Sequence, residues 1–309
     1  MMDIDTFLTT LYVMSDDFCQ SQGVDEKHRP GPPASLSCSE VVTLAVFGQW
    51  AQFPSERAFY RYAECHLQTA FPTLPQREQF NRLQRHYRDV IVAFSLFLVE
   101  HMQAQHCLYE ALDSSGIPTR DAKRRGSGWL AGQADIGWSN RIGWYEGFHL
   151  LTSITPTGVI TGFGFAAGSC NDHALAETFF AARKLPSPRL PSVGVPAQGV
   201  YLADKGFAGD QLHRQWYEQY GAQVVSPPHQ KSKVRWSKDW RRWLAGLRQI
   251  METIYGKLLH TFRLARERPH ALDGFQARLA AKVALHNFCL WLNLQLGREP
   301  LAFADLLEW

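Results

Sequence analysis

The sequence predicts an α/β protein in which a mixed β-sheet, flanked by helices, follows an N-terminal all-α region. Up to about residue 106, apolar residues recur at helical spacing with little strand signal. From Cys107 onward, short apolar runs alternate with helical segments: strand, two hairpin strands, helix, strand, helix, strand, helix, helix. A hairpin followed by strand–helix–strand crossovers produces a mixed sheet with helices on its faces.

The N-terminal region, residues 1–106, is predicted to be a helical, DNA-binding domain. Ser37 and Glu40 have the spacing of a capping box at the start of a helix. Two of its helices flank a short break and fit a helix-turn-helix, and a plain helical bundle is the alternative. The second of these helices carries side chains that could reach a duplex or could form a solvated face: Arg57, Tyr60, Arg61 and Tyr62. The expected helices are Asp3–Asp17, Val41–Trp50, Glu56–Leu67, Leu74–Gln84 and Arg88–His101.

Residues 107–309 are predicted to form the second domain, which contains the sheet. A turn at 155–158 makes its second and third strands a hairpin, and Asn171 with Asp172 fits a helix start. The expected strands are Cys107–Leu112, Phe148–Thr155, Val159–Ala166, Gly199–Ala203 and Ala222–Val225. The expected helices are His173–Lys184, Asp210–Tyr220, Lys238–His260 and Phe275–Leu296.

Composition narrows the class of protein. The chain has 309 residues, 45% of them hydrophobic and 20% charged, with a net charge of only +3, which argues weakly for a polyanionic partner. None of its six cysteines forms C-x-x-C, so neither a zinc ribbon nor a disulfide framework is indicated. We find no signal peptide, and the longest apolar stretch, near 90–99, is too short to span a membrane. A cytoplasmic protein is expected.

Three acidic residues have chemically suggestive positions. Asp113 and Asp204 each end an apolar run that is typical of a buried strand, and Glu252 lies on a helix. A carboxylate at a buried strand is costly unless something pairs with it. The intervals between the three allow both aspartates to end on neighbouring strands with the glutamate beside them. Three converging carboxylates would hold Mg²⁺ or Mn²⁺, which suits phosphodiester chemistry.

Several motifs resemble one family. LDSSG, the GF-rich hairpin followed by SCNDH, LADKGFAG, the VSPP loop and R-x-x-x-E, in this order, resemble the DDE-type transposases of bacterial insertion sequences. LSCSEVVTLAVFGQW, LPQREQFNRLQR and ALHNFCLWLNL are also similar to that group, so the likeness covers most of the chain. It implies a ribonuclease-H-like catalytic domain over residues 107–309, two Mg²⁺ or Mn²⁺ ions, and a bacterial protein that associates with the nucleoid when bound to DNA.

The resemblance assigns site residues by position. Asp113 and Asp204 match the two aspartates of the triad, Glu252 its glutamate, and Arg248 the arginine four residues earlier. Arg248 and Glu252 would share one helix face, where the arginine could hold the carboxylate or the scissile phosphate. The tyrosine and lysine of a related signature are absent, since Ala245 and Leu259 stand in their places.

Each assignment has a plainer alternative. Asp113 and Asp204 could simply open turns, and Glu267 competes with Glu252. Asp172 is interpreted as a helix cap rather than a fourth ligand. His149 and His173 have no metal-pair spacing and are expected to be structural or to contact DNA.

Cations cluster in two segments predicted to bind DNA. The first also carries Trp236, Trp240 and Trp243, whose flat rings can stack on unpaired bases, although tryptophans at helical spacing often anchor a core instead. Its predicted contacts are Lys231, Lys233, Arg235, Trp236, Lys238, Arg241 and Arg242, and the second, weaker segment is Lys123, Arg124 and Arg125.

The sequence therefore predicts a DNA transposase that cleaves the ends of its element and joins the 3′-hydroxyl to target DNA. A metal-dependent nuclease without strand transfer and a catalytically silent DNA-binding protein are the alternatives. The expected partners are the terminal inverted repeats, target DNA and a second copy of the chain, because two DNA ends must be brought together.

Overall fold

The computed structural model describes residues 1–24, 34–121, 130, 132–139, 141–185, 199–228 and 236–309. These residues fall into two compact units, each described here by itself. The first contains residues 1–98, 261–263 and 271–309, and the second contains residues 99–260 and 264–270. Within these described ranges, no helix is long and apolar enough to cross a membrane.

The first unit is helical, as predicted. The Ser37–Glu40 capping box is confirmed, with the Glu40 amide 3.2 Å from Ser37 Oγ and the Ser37 amide 2.7 Å from Glu40 Oε2. Tyr60 is buried, so the expectation that it could reach a duplex is wrong, whereas Arg57 and Arg61 are exposed. The helices are α1 (Ile4–Ser21), α2 (Cys38–Phe47), α3 (Glu56–His66), α4 (Arg77–His86), α5 (Arg88–His101, whose last residues lie in the second unit) and α9 (Leu272–Gln295).

The last helix packs with the N-terminal helices. α9 contacts α2 and α4, and the buried Lys282 on α9 donates a hydrogen bond to Gln49 Oε1 at 2.5 Å. The predicted division into residues 1–106 and 107–309 stays a prediction, while the compact first unit takes its helices from both ends of the chain.

The second unit is built on a mixed sheet with helices around it, which confirms the predicted α/β class. The central strand pairs antiparallel with the third strand and parallel with the fifth, and the fifth pairs parallel with the sixth. The order is β2-β3-β1-β5-β6, and β4 also pairs with β3. The strands are β1 (Tyr109–Asp121), β2 (Asp135–Ser139), β3 (Gly143–Ile154), β4 (Ile160–Ala167), β5 (Val200–Ala203) and β6 (Gln223–Val225).

Two strand predictions need correction. β1 does not end at Asp113 but continues to Asp121, because residues beyond Asp113 pair with β3. β2 was not expected, since its sequence has little apolar alternation. It pairs with residues 143–147 of β3, and β4 pairs with residues 148–154, so the two share one edge of that strand.

Helices cover both faces of the sheet. α6 (Asp172–Lys184) and α7 (Asp210–Tyr220) pack with Leu112 and Leu151 through a core that includes Trp216. α8 (Lys238–Gly256) covers the opposite face, where it packs on Leu202. Because side chains alternate along a strand, neighbouring residues of β1 face different helices.

Candidate active site

Asp113 and Asp204 lie side by side. The parallel pairing of β1 with β5 ends at Leu112 opposite Ala203, and each aspartate is the next residue on its strand. Adjacent strands are about 4.8 Å apart, so the two carboxylates occupy one small region. Burial raises the pKa of Asp113 to about 7, helped by the negative charges of Asp204 and Asp172 and opposed by the Ser114 amide and Arg248.

The residues after Asp204 bring a third carboxylate close. Asp204 Oδ1 accepts a hydrogen bond from the Gly206 amide at 2.6 Å, which opens a short 3₁₀ turn over Lys205–Phe207. A Cβ at position 206 would lie 2.7 Å from Asp204 Oδ1 and 3.4 Å from Asp172 Oδ2. Gly206, which has no Cβ, therefore leaves room for the carboxylates of Asp204 and Asp172 on either side of the main chain.

Asp172 has a different role from the one expected. The cap of α6 is Asn171, whose Oδ1 accepts from the Ala174 amide at 2.8 Å, so the interpretation of Asp172 as the cap is wrong. Asp172 Oδ1 instead accepts from Ser114 Oγ at 2.5 Å and lies 3.2 Å from His149 Nε2. Burial alone would raise the pKa of Asp172, but the hydrogen bonds with His149 and Ser114 outweigh it and lower that pKa.

His149 lies between two hydrogen-bond acceptors. Its Nδ1 lies 2.7 Å from the carbonyl oxygen of Cys170, and its Nε2 faces the carboxylate of Asp172. Both neighbours are acceptors, so both ring nitrogens must carry protons to satisfy them. Burial opposes the charge, but the hydrogen bonds to Asp172 and Cys170 outweigh it and raise the pKa of His149. The ring fixes Asp172, which agrees with a structural role for this histidine.

A residue of α8 is hydrogen-bonded to the main chain at Asp113. The hydroxyl of Tyr255 donates to the main-chain oxygen of Asp113 at 2.7 Å and accepts from Thr152 Oγ1 at 2.9 Å. Complete burial raises the pKa of Tyr255 well above its ordinary value, so the donor proton is kept. This contact places Arg248, two helical turns earlier, where its charge acts on Asp113.

The transposase DDE domain matches residues 111–288, more than half of the chain. The chain belongs to the transposase DDE family. Among solved structures, the Mos1 mariner paired end complex with Mn aligns over 76% of this chain and 81% of that one, at 16% identity and a TM-score of 0.23. The Mos1 strand transfer complex aligns over 80% and 84%, at 13% identity and a TM-score of 0.24. These scores are too low to transfer contacts. No curated protein matches significantly.

The matched range of the DDE domain contains all four predicted catalytic residues, but the structure does not bring all four close together. Asp113 and Asp204 are neighbours, and the charge of Arg248 reaches Asp113. Glu252 is exposed one turn beyond Arg248 on α8. Over the described part of the chain, no three Asp, Glu, His or Cys side chains are arranged to hold a metal ion. The third carboxylate beside the two aspartates is that of Asp172.

The predicted DNA contacts of this DDE protein are described in part. Lys238, Arg241 and Arg242 are exposed on the first turns of α8. Trp236 is partly buried against Leu202, Leu244 and Leu247, so it serves as an anchor for α8. The remaining predicted contacts lie outside the described residues: Lys123, Arg124, Arg125, Lys231, Lys233 and Arg235.

Two further tryptophans of the predicted DNA-binding segment present exposed rings on α8. Trp240 is 54% exposed and Trp243 is 39% exposed. They contact each other at 5.2 Å between ring centroids, and Trp243 also meets Tyr109 on β1 at 5.3 Å. Unlike Trp236, these two rings face solvent beside lysines and arginines, an arrangement that suits nucleic acid better than a core.

Proposed function

We propose that this chain is a DNA transposase that cuts the ends of its element and joins the freed 3′-hydroxyl to target DNA. Membership of the transposase DDE family supports the general class. The observation that supports the chemistry is the pair of adjacent carboxylates, Asp113 and Asp204, with the cationic Arg248 beside them. Such a pair suits the placement of positive ions against a phosphodiester.

The donor set fits magnesium or manganese. All candidate ligands are carboxylate oxygens, which these hard ions prefer. Burial raises the pKa of Asp113, and the charges of Asp204 and Asp172 add to the effect, so a divalent cation would stabilise the ionised carboxylate. We assign Asp113, Asp204 and Glu252 as the residues that would hold two ions. Bound ions would supply activation of the attacking oxygen and stabilisation of the leaving one.

The other residues of the site position these groups. Tyr255 holds the main chain of Asp113, and the ring of His149 with the Ser114 hydroxyl fixes Asp172. Arg248 is placed to contact the phosphate or to orient Glu252. We propose that the carboxylate of Asp172, on α6, adds negative charge to the site close to Gly206 and Asp204.

The test is cleavage of an oligonucleotide that carries the terminal repeat found beside the gene, with magnesium present. Asp204→Asn is expected to abolish cleavage while leaving DNA binding intact. Glu218→Gln, an exposed acid on α7, is the matched control and should cleave normally. Full cleavage activity of the Asp204→Asn protein would contradict the assignment of Asp204 as a catalytic residue.

Glu252 needs its own test because it is exposed and stands apart from the aspartates. Glu252→Gln is expected to lose cleavage as completely as Asp204→Asn. If Glu252→Gln cleaves normally and Asp172→Asn does not, the third ligand is Asp172.

Product analysis separates the alternatives. A nuclease without strand transfer would leave cut ends and no joined product when target DNA is supplied. A silent DNA-binding protein would bind the repeat without metal-dependent cleavage. In each case binding should weaken steeply as salt rises, because phosphate contacts release counterions.

We further propose that the partners are the terminal inverted repeats, target DNA and a second copy of this chain on DNA. Two of the similar structures are titled paired-end complexes, a description of Mos1. Sedimentation with and without repeat DNA tests the dimer: a particle with one chain and one DNA end under cleavage conditions would contradict it. The proposed location is the bacterial cytoplasm, on the nucleoid.

A further inference from the structure

The hairpin formed by β2 and β3 presents two exposed tryptophans. Trp138 and Trp144 are directly opposed across the two strands, so both rings lie on one face. Trp138 is 56% exposed and Trp144 is 68% exposed. Two opposed, solvent-facing indoles are costly to leave in water.

The other face of the hairpin is anchored. Tyr145, the neighbour of Trp144, is buried, and its ring lies over two glycines. A Cβ at Gly116 of β1 would come within 2.5 Å of that ring, and one at Gly137 of β2 within 2.6 Å. The close packing of Tyr145 on bare main chain holds the tryptophans on a fixed support, which lowers the entropic cost of binding to them.

The hairpin lies beside the acidic cluster. Arg141 lies between the two tryptophans in the sequence, and its side chain is exposed. It donates a hydrogen bond from Nη2 to Ser115 Oγ at 3.2 Å. Ser115 is two residues beyond Asp113 on β1 and therefore on the same face of the strand. The charge of Arg141 also acts on the hydroxyl of Tyr255, which holds the main chain of Asp113.

We propose that Trp138, Trp144 and Arg141 form a binding site for unpaired nucleotides of the DNA strand that flanks the scissile phosphate. The inference rests on the proposed function. Indoles stack on any base, and an arginine at the rim can pair with the connecting phosphate. Arg141 assigns the occupant, because its contact with Ser115 places the turn of the hairpin close to Asp113, along the path of a strand placed for cleavage. The site would hold open the end of the duplex at the cut.

The experiment measures binding of two DNA probes without cleavage, in EDTA. One probe is a blunt duplex and the other carries a short single-stranded tail with 2-aminopurine, whose fluorescence is quenched by stacking. Native protein should quench the tail. The double variant Trp138→Ala/Trp144→Ala should abolish quenching and bind the tailed probe roughly 5- to 100-fold more weakly, with blunt-duplex affinity unchanged.

Matched variants keep the test specific. Tyr217→Ala, which removes an exposed ring on α7, should behave as native protein. Trp138→Phe/Trp144→Phe should keep part of the quenching, and it replaces the alanine variant if that protein does not fold. Arg141→Gln should weaken tail binding severalfold.

The outcomes are distinguishable. Equal loss of affinity for both probes, or none for either, overturns the site while leaving DNA binding established. A change in the oligomeric state of the double variant without DNA overturns it in favour of a contact between two copies. Failure of native protein to bind any DNA overturns the proposed function itself.

Discussion

Asp113→Asn should make the metal-free protein more stable at neutral and alkaline pH. The pKa of Asp113 rises from its ordinary value of 3.8 to about 7 in the folded protein. A raised carboxyl pKa means that the folded state holds its proton more tightly than the unfolded state does. Protonated Asp113 therefore stabilises the folded protein fully below about pH 4, and this contribution to the free energy of unfolding is lost as the pH rises to about 7. Three pKa units correspond to about 4 kcal/mol, a ceiling because the side chain keeps some contact with water.

The assay is urea unfolding of native and Asp113→Asn protein between pH 4 and 8 in EDTA. Asparagine keeps the shape and can still accept from the Ser114 amide, so only the charge is removed. The stability of the native protein should fall relative to the variant by up to about 4 kcal/mol across this range. Magnesium at pH 8 should restore much of the difference by stabilising only the native protein. Parallel unfolding curves across the whole pH range would refute the reasoning.

Three further outcomes test the packing around the site. Arg183→Met should cost about 3–5 kcal/mol in urea unfolding because it leaves the buried Glu110 carboxylate unpaired, and adding Glu110→Leu should recover part of that loss. Tyr255→Phe should cost about 1–3 kcal/mol by removing the hydrogen bond to Asp113, and cleavage should fall with it; unchanged stability would contradict the contact. Gly147→Ala should reduce the melting temperature strongly, because its Cβ would lie 2.0 Å from a main-chain oxygen of β1; a variant that melts like native protein would contradict the register.

Much of the fold was predictable because its signals are local. The capping box at Ser37 and the helical spacing from Asp210 to Tyr220 lie within short stretches of sequence, and the structure has both. The hairpin around residues 155–158 is also confirmed. The extent of β1 was not predictable in this way, because Ser-Ser-Gly after Asp113 has the composition of a turn. Only pairing with β3, far along the chain, keeps that segment extended.

The candidate site, like the fold, was predictable only where its signals are local in the sequence. The nearness of Asp113 and Asp204 could be expected because each follows a short apolar run, although β1 continues past Asp113 and only its pairing with β5 ends there. The role of Asp172 did not, since its partner Ser114 is 58 residues away and the sequence next to it reads as a helix start. The exposure of Glu252 was likewise invisible, because a helical position alone does not say how close the helix end comes to the sheet.

β1 couples the two helical layers at the carboxylates. Asp113 is the first residue at which β1 is released from β5, and its main chain is held by Tyr255 of α8. The next residue, Ser114, points to the other face and holds Asp172 of α6. Two successive residues of one strand thus connect helices on opposite faces to the same acidic cluster. We expect a shift of either helix to alter the spacing of the carboxylates, because Tyr255 holds the main chain at Asp113 and Ser114 holds Asp172.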